Sequence, residues 1–143
     1  MGYLSKVKQC RYFGTELNGT TMGKKILIVD DEPEICELLS EGLEHAGYEV
    51  ITATTGAKGF EHAEKDRPDL IILDICLPDI DGVVMYETLR GSRLHEKTPV
   101  IFLTGLAAGT DTRFTGPSDN QYTIIPKPAN IEEIQSEISR LIG

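Results

Sequence analysis

The sequence lacks any stretch approaching the roughly 18 uninterrupted apolar residues that a membrane-crossing helix needs. Met1 to Arg11 also has no apolar run of the kind that marks a signal peptide. A soluble, cytoplasmic chain without membrane insertion is the expectation. Cysteine is scarce: Cys10, Cys36 and Cys76 are odd in number, far apart and without CxxC spacing, which indicates neither a disulfide framework nor a zinc site. Positive charge is scarce as well. With 14 Lys and Arg against 23 Asp and Glu, the formal charge of −9 opposes binding to nucleic acid or anionic lipid, which normally takes a basic patch that releases counterions. Direct nucleic-acid binding is therefore not expected. No internal repeat, low-complexity segment or linker to a second domain is visible, and 143 residues with 40% apolar content suit one core.

What is present falls into two parts. Residues 1–22 show no clear periodicity and carry Lys6, Lys8 and Arg11 against Glu16 in an otherwise acidic chain. They are expected to be an extension, disordered or derived from an upstream start site or an expression vector, with a docking arm as the alternative. Residues 23–143 form the expected folded domain. Its apolar runs Ile26 to Val29, Leu70 to Leu73 and Val100 to Leu103 are short, largely β-branched and unalternated, as suits strands buried on both faces of a parallel sheet. Tyr48 to Ala53 reads as another strand, and Ile124-Ile125 as part of the last.

Helices alternate with these strands. The first opens with Pro33, places Ile35, Leu38, Leu39, Leu43 and Ala46 on one face and stops at Gly47. Ala57, Phe60 and Ala63 give a second, ending near Arg67-Pro68, and Val83 to Arg90 gives a third, with Asp81 as its N-cap. Asn130 followed by Glu133 starts the last, with Ile131, Ile134, Ile138, Leu141 and Ile142 on one side. Gly109, Gly116 and Pro117 interrupt the stretch Leu106 to Gln121, so a fourth helix there should be short or mobile. Five strands and five flanking helices imply a doubly wound α/β fold with its active edge at the strand carboxyl ends.

That edge gathers chemistry. Asp30 and Asp31 follow one buried strand and Asp74 another, so three carboxylates converge. Like charges this close repel unless a cation neutralises them, and oxygen ligands with room for water and phosphate suit Mg²⁺. Acids that merely cap the following helices are the simpler reading for any one of them taken alone. Thr104 ends a neighbouring strand and Lys127 follows the next, bringing a hydroxyl and an ammonium to the same edge, where they would bracket a phosphate. A carboxylate attacking phosphorus needs a metal on one side and a cation for the developing oxyanion charge on the other. Pro126 and Pro128 flank Lys127, and a cis peptide at Lys127-Pro128 is compatible with the sequence. His45, His62 and His95 have no partner at ligand or triad spacing and read as ordinary surface residues. Asp79 reads as a turn residue and Cys36 as a packing residue.

Four motifs, Ile-Leu-Ile-Val-Asp-Asp-Glu at 26–32, Leu-Asp-Ile-Cys-Leu-Pro-Asp-Ile-Asp-Gly at 73–82, Phe-Leu-Thr-Gly at 102–105 and Pro-Lys-Pro at 126–128, fall at successive strand ends. In order and spacing the chain from Lys24 to Gly143 resembles the receiver domain of two-component response regulators, of the single-domain, chemotaxis-protein-like kind. The resemblance implies a flavodoxin-like sheet in the order 2-1-3-4-5. It implies Asp74 as phosphoacceptor, Asp31 as direct and Asp30 as water-mediated Mg²⁺ ligand, the backbone carbonyl of Cys76 as a further ligand, and Thr104 and Lys127 on the phosphoryl oxygens. It also implies a sensor histidine kinase or histidine phosphotransfer protein as phosphoryl donor, slow self-dephosphorylation, and an effector docking on the face of helix four, strand five and helix five. The chain would then be a phospho-accepting switch rather than an enzyme in its own right.

Some positions depart from that pattern. The switch aromatic usually stands three residues before the lysine, where this chain has Ile124; Tyr122, two residues earlier on the same strand face, is the candidate substitute. Gly105 stands where alanine is usual. Cys76 and Leu106, two residues beyond Asp74 and Thr104, offer no carboxylate or amide to orient water, so a phosphoryl lifetime that is not especially short is expected. Two alternatives differ in class: a pseudo-receiver that signals without phosphate, and an aspartyl-phosphate phosphatase of the haloacid-dehalogenase type. The latter expects an Asp-x-Asp pair and a cap domain, whereas this chain has adjacent Asp30-Asp31 and no visible cap insertion.

Overall fold

Burial on both faces governs the central strands. In the computed structural model, which describes residues 23–105, 122–128 and 130–142, every residue of Leu70–Asp74 and Val100–Thr104 is buried. The elements run β1 (Lys25–Val29), α1 (Pro33–His45), β2 (Glu49–Ala53), α2 (Gly56–Asp66), β3 (Leu70–Asp74), α3 (Gly82–Arg90), β4 (Val100–Thr104), β5 (Tyr122–Pro126) and α4 (Ile131–Ile142). All strands pair in parallel, in the order β2-β1-β3-β4-β5, as expected of a doubly wound sheet. The expected extension at residues 1–22 and the expected fourth helix within 106–121 lie outside the described residues, so α4 here is the helix expected as the fifth. Among the described residues no helix is long and apolar enough to cross a membrane.

Successive strand residues point to opposite faces and divide the core in two. Ile26, Ile28, Ile72, Ile101 and Leu103 meet Leu39 and Leu43 of α1 and Ile134 and Ile138 of α4. Leu27, Val29, Ile71, Leu73 and Phe102 meet Ala63 of α2 and Met85, Tyr86 and Leu89 of α3. Each such aliphatic side chain contributes about 1.5–3 kcal/mol of burial, enough to set the strand register.

The helix ends follow local chemistry. Pro33 occupies the first turn of α1, and Gly47, at φ +103°, takes the left-handed turn just beyond its last residues. The expected caps are formed: Asp81 Oδ1 accepts from Val83 N at 2.7 Å, and Asn130 Oδ1 accepts from Glu133 N at 2.7 Å. Three expectations need correction. Leu38 is 61% exposed and Cys36 takes its place on the buried face of α1, because the sheet meets the helix one position away from the centre of the apolar stripe. Tyr48 is buried but precedes β2, which begins at Glu49. His95 is buried rather than on the surface, for reasons given below.

Candidate functional site

The carboxyl ends of β1, β3 and β4 and the loop after β5 meet at one edge. Asp30 follows β1 and is held by its own backbone: its N–H donates to Ala53 O at 3.0 Å and its carbonyl accepts from Cys36 Sγ at 3.3 Å. Cys36 is thus a packing residue, as expected, that also secures Asp30; burial pushes its thiol up to about 11. Asp30 Oδ1 accepts from Glu32 N at 2.9 Å. Its Oδ2 is buried and lies 2.9 Å from Lys127 Nζ as an ion pair, without a further hydrogen-bond donor among the described residues.

Asp74 ends β3 and is 5% exposed. One oxygen accepts from Cys76 N at 3.2 Å and the other lies 3.5 Å from Lys127 Nζ. Burial, and then the charge of Asp30, raise its carboxyl from 3.8 to about 6, against the opposing pull of Lys127 and the Cys76 N–H. Asp31 is exposed, and one carboxylate oxygen from each of Asp30, Asp31 and Asp74 lies within 4.8 Å of the others.

Lys127 is the counter-charge. Its ammonium touches Asp30 and also lies 2.9 Å from Glu32 Oε1. Burial favours its neutral form, but the hydrogen bonds it donates to Asp30 and Glu32 outweigh that and hold it firmly protonated. Its backbone N–H donates to Thr104 O at 2.7 Å, tying the loop to the end of β4, and the Lys127-Pro128 peptide is cis. Thr104 is buried at that end, on the same strand face as Phe102 by the two-residue repeat.

The donor set fits a hard divalent cation. Several oxygens crowd one edge, and among the described residues a buried Asp30 oxygen has only an ion pair to satisfy it and a single ammonium faces four carboxylates, counting Glu32. Asp30, Asp31 and Asp74 can hold such an ion, with the Cys76 backbone beside them.

The expected switch residues are brought together on one face. Tyr122 and Ile124 both pack on the α2–α3 side of the sheet, and Ile124 stands opposite Phe102. The Tyr122 ring lies edge-on to Phe102 at 5.6 Å and to Tyr86 at 5.8 Å.

Three residues escaped the sequence reading. Glu32, adjacent to the paired aspartates, is a partner of Lys127. Asp79 accepts from the N–H groups of Gly56 and Ala57 across the fold instead of closing a local turn. His95 is clamped between Ala63 O and Thr98 Oγ1. Only Glu32 left a signal, its place beside Asp30-Asp31.

Comparison with known proteins accords with this geometry. The sequence profile of the response regulator receiver domain matches residues 26–139. The chain is 42% identical over 106 residues to the alkaline phosphatase synthesis transcriptional regulatory protein PhoP of Bacillus subtilis, covering 67% of this chain and 43% of that protein. It is 37% identical over 118 residues to the DNA-binding dual master transcriptional regulator RpaA of Synechocystis, covering 82% and 48%. The chain therefore spans less than half the length of these curated relatives. Among solved structures, the chemotaxis response regulator CheY4 of Vibrio cholerae superposes with a TM-score of 0.74 at 31% identity, over 82% of this chain and 98% of that one. The receiver domain of a sensor histidine kinase of Pseudomonas aeruginosa, solved with a magnesium ion coordinated in its active site cleft, gives 0.74 at 29% identity over 85% and 98%.

Proposed function

The chain belongs to the response regulator receiver domain family of two-component systems, and on that premise we propose that it accepts a phosphoryl group on Asp74 with Mg²⁺ held by Asp30, Asp31, Asp74 and the Cys76 carbonyl. The supporting observation is the convergence of three carboxylates within 4.8 Å beside the Lys127 ammonium. A bound Mg²⁺ would supply charge neutralisation at the carboxylates and at the incoming phosphoryl oxygens. An Asp74 carboxylate oxygen attacks phosphorus while the bond to a phosphohistidine nitrogen breaks; the donor ring, protonated on its other nitrogen, leaves as a neutral imidazole, and Asp74 becomes an acyl phosphate. Lys127 then exchanges carboxylate partners for a phosphoryl oxygen, and the Thr104 hydroxyl binds another.

The added phosphate brings about −1.5 to −2 charges, enough to draw Thr104 and Lys127 toward Asp74 and shift what lies behind them. Behind Thr104 on that face stand Phe102, Ile124 and Tyr122, so the Tyr122 ring would register the movement. A sensor histidine kinase or histidine phosphotransfer protein is the donor in this reading. An effector docks on the surface that includes β5 and α4. Intact-mass spectrometry after incubation with Mg²⁺ and acetyl phosphate tests it. One phosphoryl adduct, lost in Asp74→Asn and with chelator, is the expected result, and no adduct on folded, Mg²⁺-supplied protein would reject Asp74 as acceptor and favour a phosphate-independent pseudo-receiver.

A further inference from the structure

Residues 75 to 81, between β3 and α3, carry the Cys76 backbone past the acidic cluster, and two aspartates hold that loop in different ways. Asp81 caps its own helix, accepting from Val83 N. Asp79 reaches to another element: Oδ1 accepts from Gly56 N at 2.8 Å and Oδ2 from Ala57 N at 3.0 Å. These are first-turn N–H groups of α2, which have no partner inside the helix, and a carboxylate is favoured at that positive end. The two hydrogen bonds hold the Asp79 carboxyl below its ordinary range.

Helix α2 already has a local cap, since Thr55 Oγ1 accepts from Lys58 N at 3.1 Å. The tie to Asp79 therefore does more for the loop than for the helix. Packing reinforces it: a Cβ on Gly56 would come within 2.1 Å of Ile80 Cγ2, so the Ile80 side chain of the loop packs directly on the Gly56 backbone at the start of α2. At its other end the loop closes on β3. Gly82 N donates to Ile75 O at 2.7 Å, Cys76 bridges to Asp81, and a Cβ on Gly82 would lie 2.3 Å from Asp74 O. Cys76 is thus suspended between two anchors, the end of β3 and the start of α2.

We propose that Asp79 is a positioning residue for the metal site, fixing the loop that presents the Cys76 backbone to the ion by clamping it to the amino end of α2. The inference rests on the Mg²⁺ site of the preceding reading. Residues that orient ligands from behind are typically worth 10–100-fold in metal affinity, and an anchor acting through a backbone loop belongs at the lower end.

The test measures Mg²⁺ affinity by calorimetry and thermal unfolding on the full chain, for Asp79→Ala, Asp79→Asn and Thr55→Ala. Asp79→Ala should weaken Mg²⁺ about 10-fold. Asp79→Asn, which keeps one acceptor oxygen, should recover part of that loss. Thr55→Ala removes the other cap of α2 and should lower the Tm while leaving Mg²⁺ affinity within twofold of the parent. In acetyl phosphate labelling, Asp79→Ala should need more Mg²⁺ for half-maximal rate and reach a similar maximum. Unchanged Mg²⁺ affinity in Asp79→Ala overturns the proposal, as does an equal loss in Thr55→Ala, which would make helix stability the cause. A parent protein that binds Mg²⁺ but takes no phosphoryl group would sink the phosphoacceptor reading alone, leaving calorimetry to decide on Asp79; a parent that binds no Mg²⁺ overturns both.

Discussion

Two buried polar clusters sit at opposite ends of the sheet and are built on opposite terms. At the amino end, before β4, His95 is 3% exposed and fully partnered: Nε2 meets Ala63 O at 2.7 Å and Nδ1 meets Thr98 Oγ1 at 2.8 Å. A carbonyl can only accept, so Nε2 carries the proton. Arg90 closes the cluster, donating to His95 O at 3.0 Å and Thr98 O at 2.6 Å while its guanidinium covers the Tyr86 ring at 4.6 Å. At the carboxyl end, Asp30 and Asp74 are equally buried, but they crowd one another and share a single lysine. In the first cluster each of these polar atoms has its partner within the fold. The second leaves charge in excess, which only an added cation or the loss of a negative charge can relieve.

The largest effect should come from breaking the satisfied cluster. His95→Ala removes a packed ring and orphans Ala63 O, a combination of cavity and lost hydrogen bonds worth about 3 kcal/mol. Urea denaturation should show that loss, while folded His95→Ala still takes a phosphoryl group on Asp74. A loss under about 1 kcal/mol would mean the loop repacks, and the contrast between the clusters would fail.

The opposite sign is expected next, at the crowded end. Because the Asp74 carboxyl is raised from 3.8 to about 6 in the fold, the folded chain binds more protons than the unfolded chain across that window. Stability therefore falls as pH rises through it and stays reduced above. Asp74→Asn removes the penalty and should stabilise the Mg²⁺-free protein by about 2 kcal/mol at pH 8, with the gain shrinking toward pH 4. Added Mg²⁺ should stabilise the parent more than the variant. Thermal melts across pH with and without chelator decide it; a destabilised Asp74→Asn at pH 8 would show that the carboxylate is held by its partners rather than strained by its neighbours.

How much of this was legible follows from the range of each interaction. The strands were readable because parallel strands buried on both faces leave uninterrupted runs such as Ile26 to Val29, and the caps Asp81 and Asn130 because their partners lie two or three residues away. Asp30, Asp31, Asp74, Thr104 and Lys127 were readable as a group because a parallel sheet carries every strand end to one edge. His95 finds Ala63 32 residues away, Glu32 finds Lys127 95 residues away, and Asp79 finds Gly56 23 residues away. Each pairing has a loop residue at one end at least, and loop trajectories leave no periodicity in the sequence. Leu38 failed for a related reason: helical spacing gives an apolar stripe but not which edge of it the sheet will cover.

The smallest expected effect tests how far the excess charge extends. Glu32 contacts Lys127 at 2.9 Å, as closely as Asp30 does, yet its side chain is 54% exposed where that of Asp30 is 1%. Water screens the outer pair, so Glu32→Gln should change stability by no more than about 0.5 kcal/mol, and the difference from the parent should vanish in high salt. The ammonium, left with Asp30 and Asp74 as partners, should then resist protonation of Asp74 more strongly and shift the pH dependence described above toward lower pH. Denaturation in low and high salt across that pH range reads both. A loss of several kcal/mol on neutralising so exposed a residue would mean that Glu32 fixes Lys127 as firmly as Arg90 fixes the loop around His95, and the acidic end would have to be regarded as a built structural cluster rather than one kept short of counter-charge.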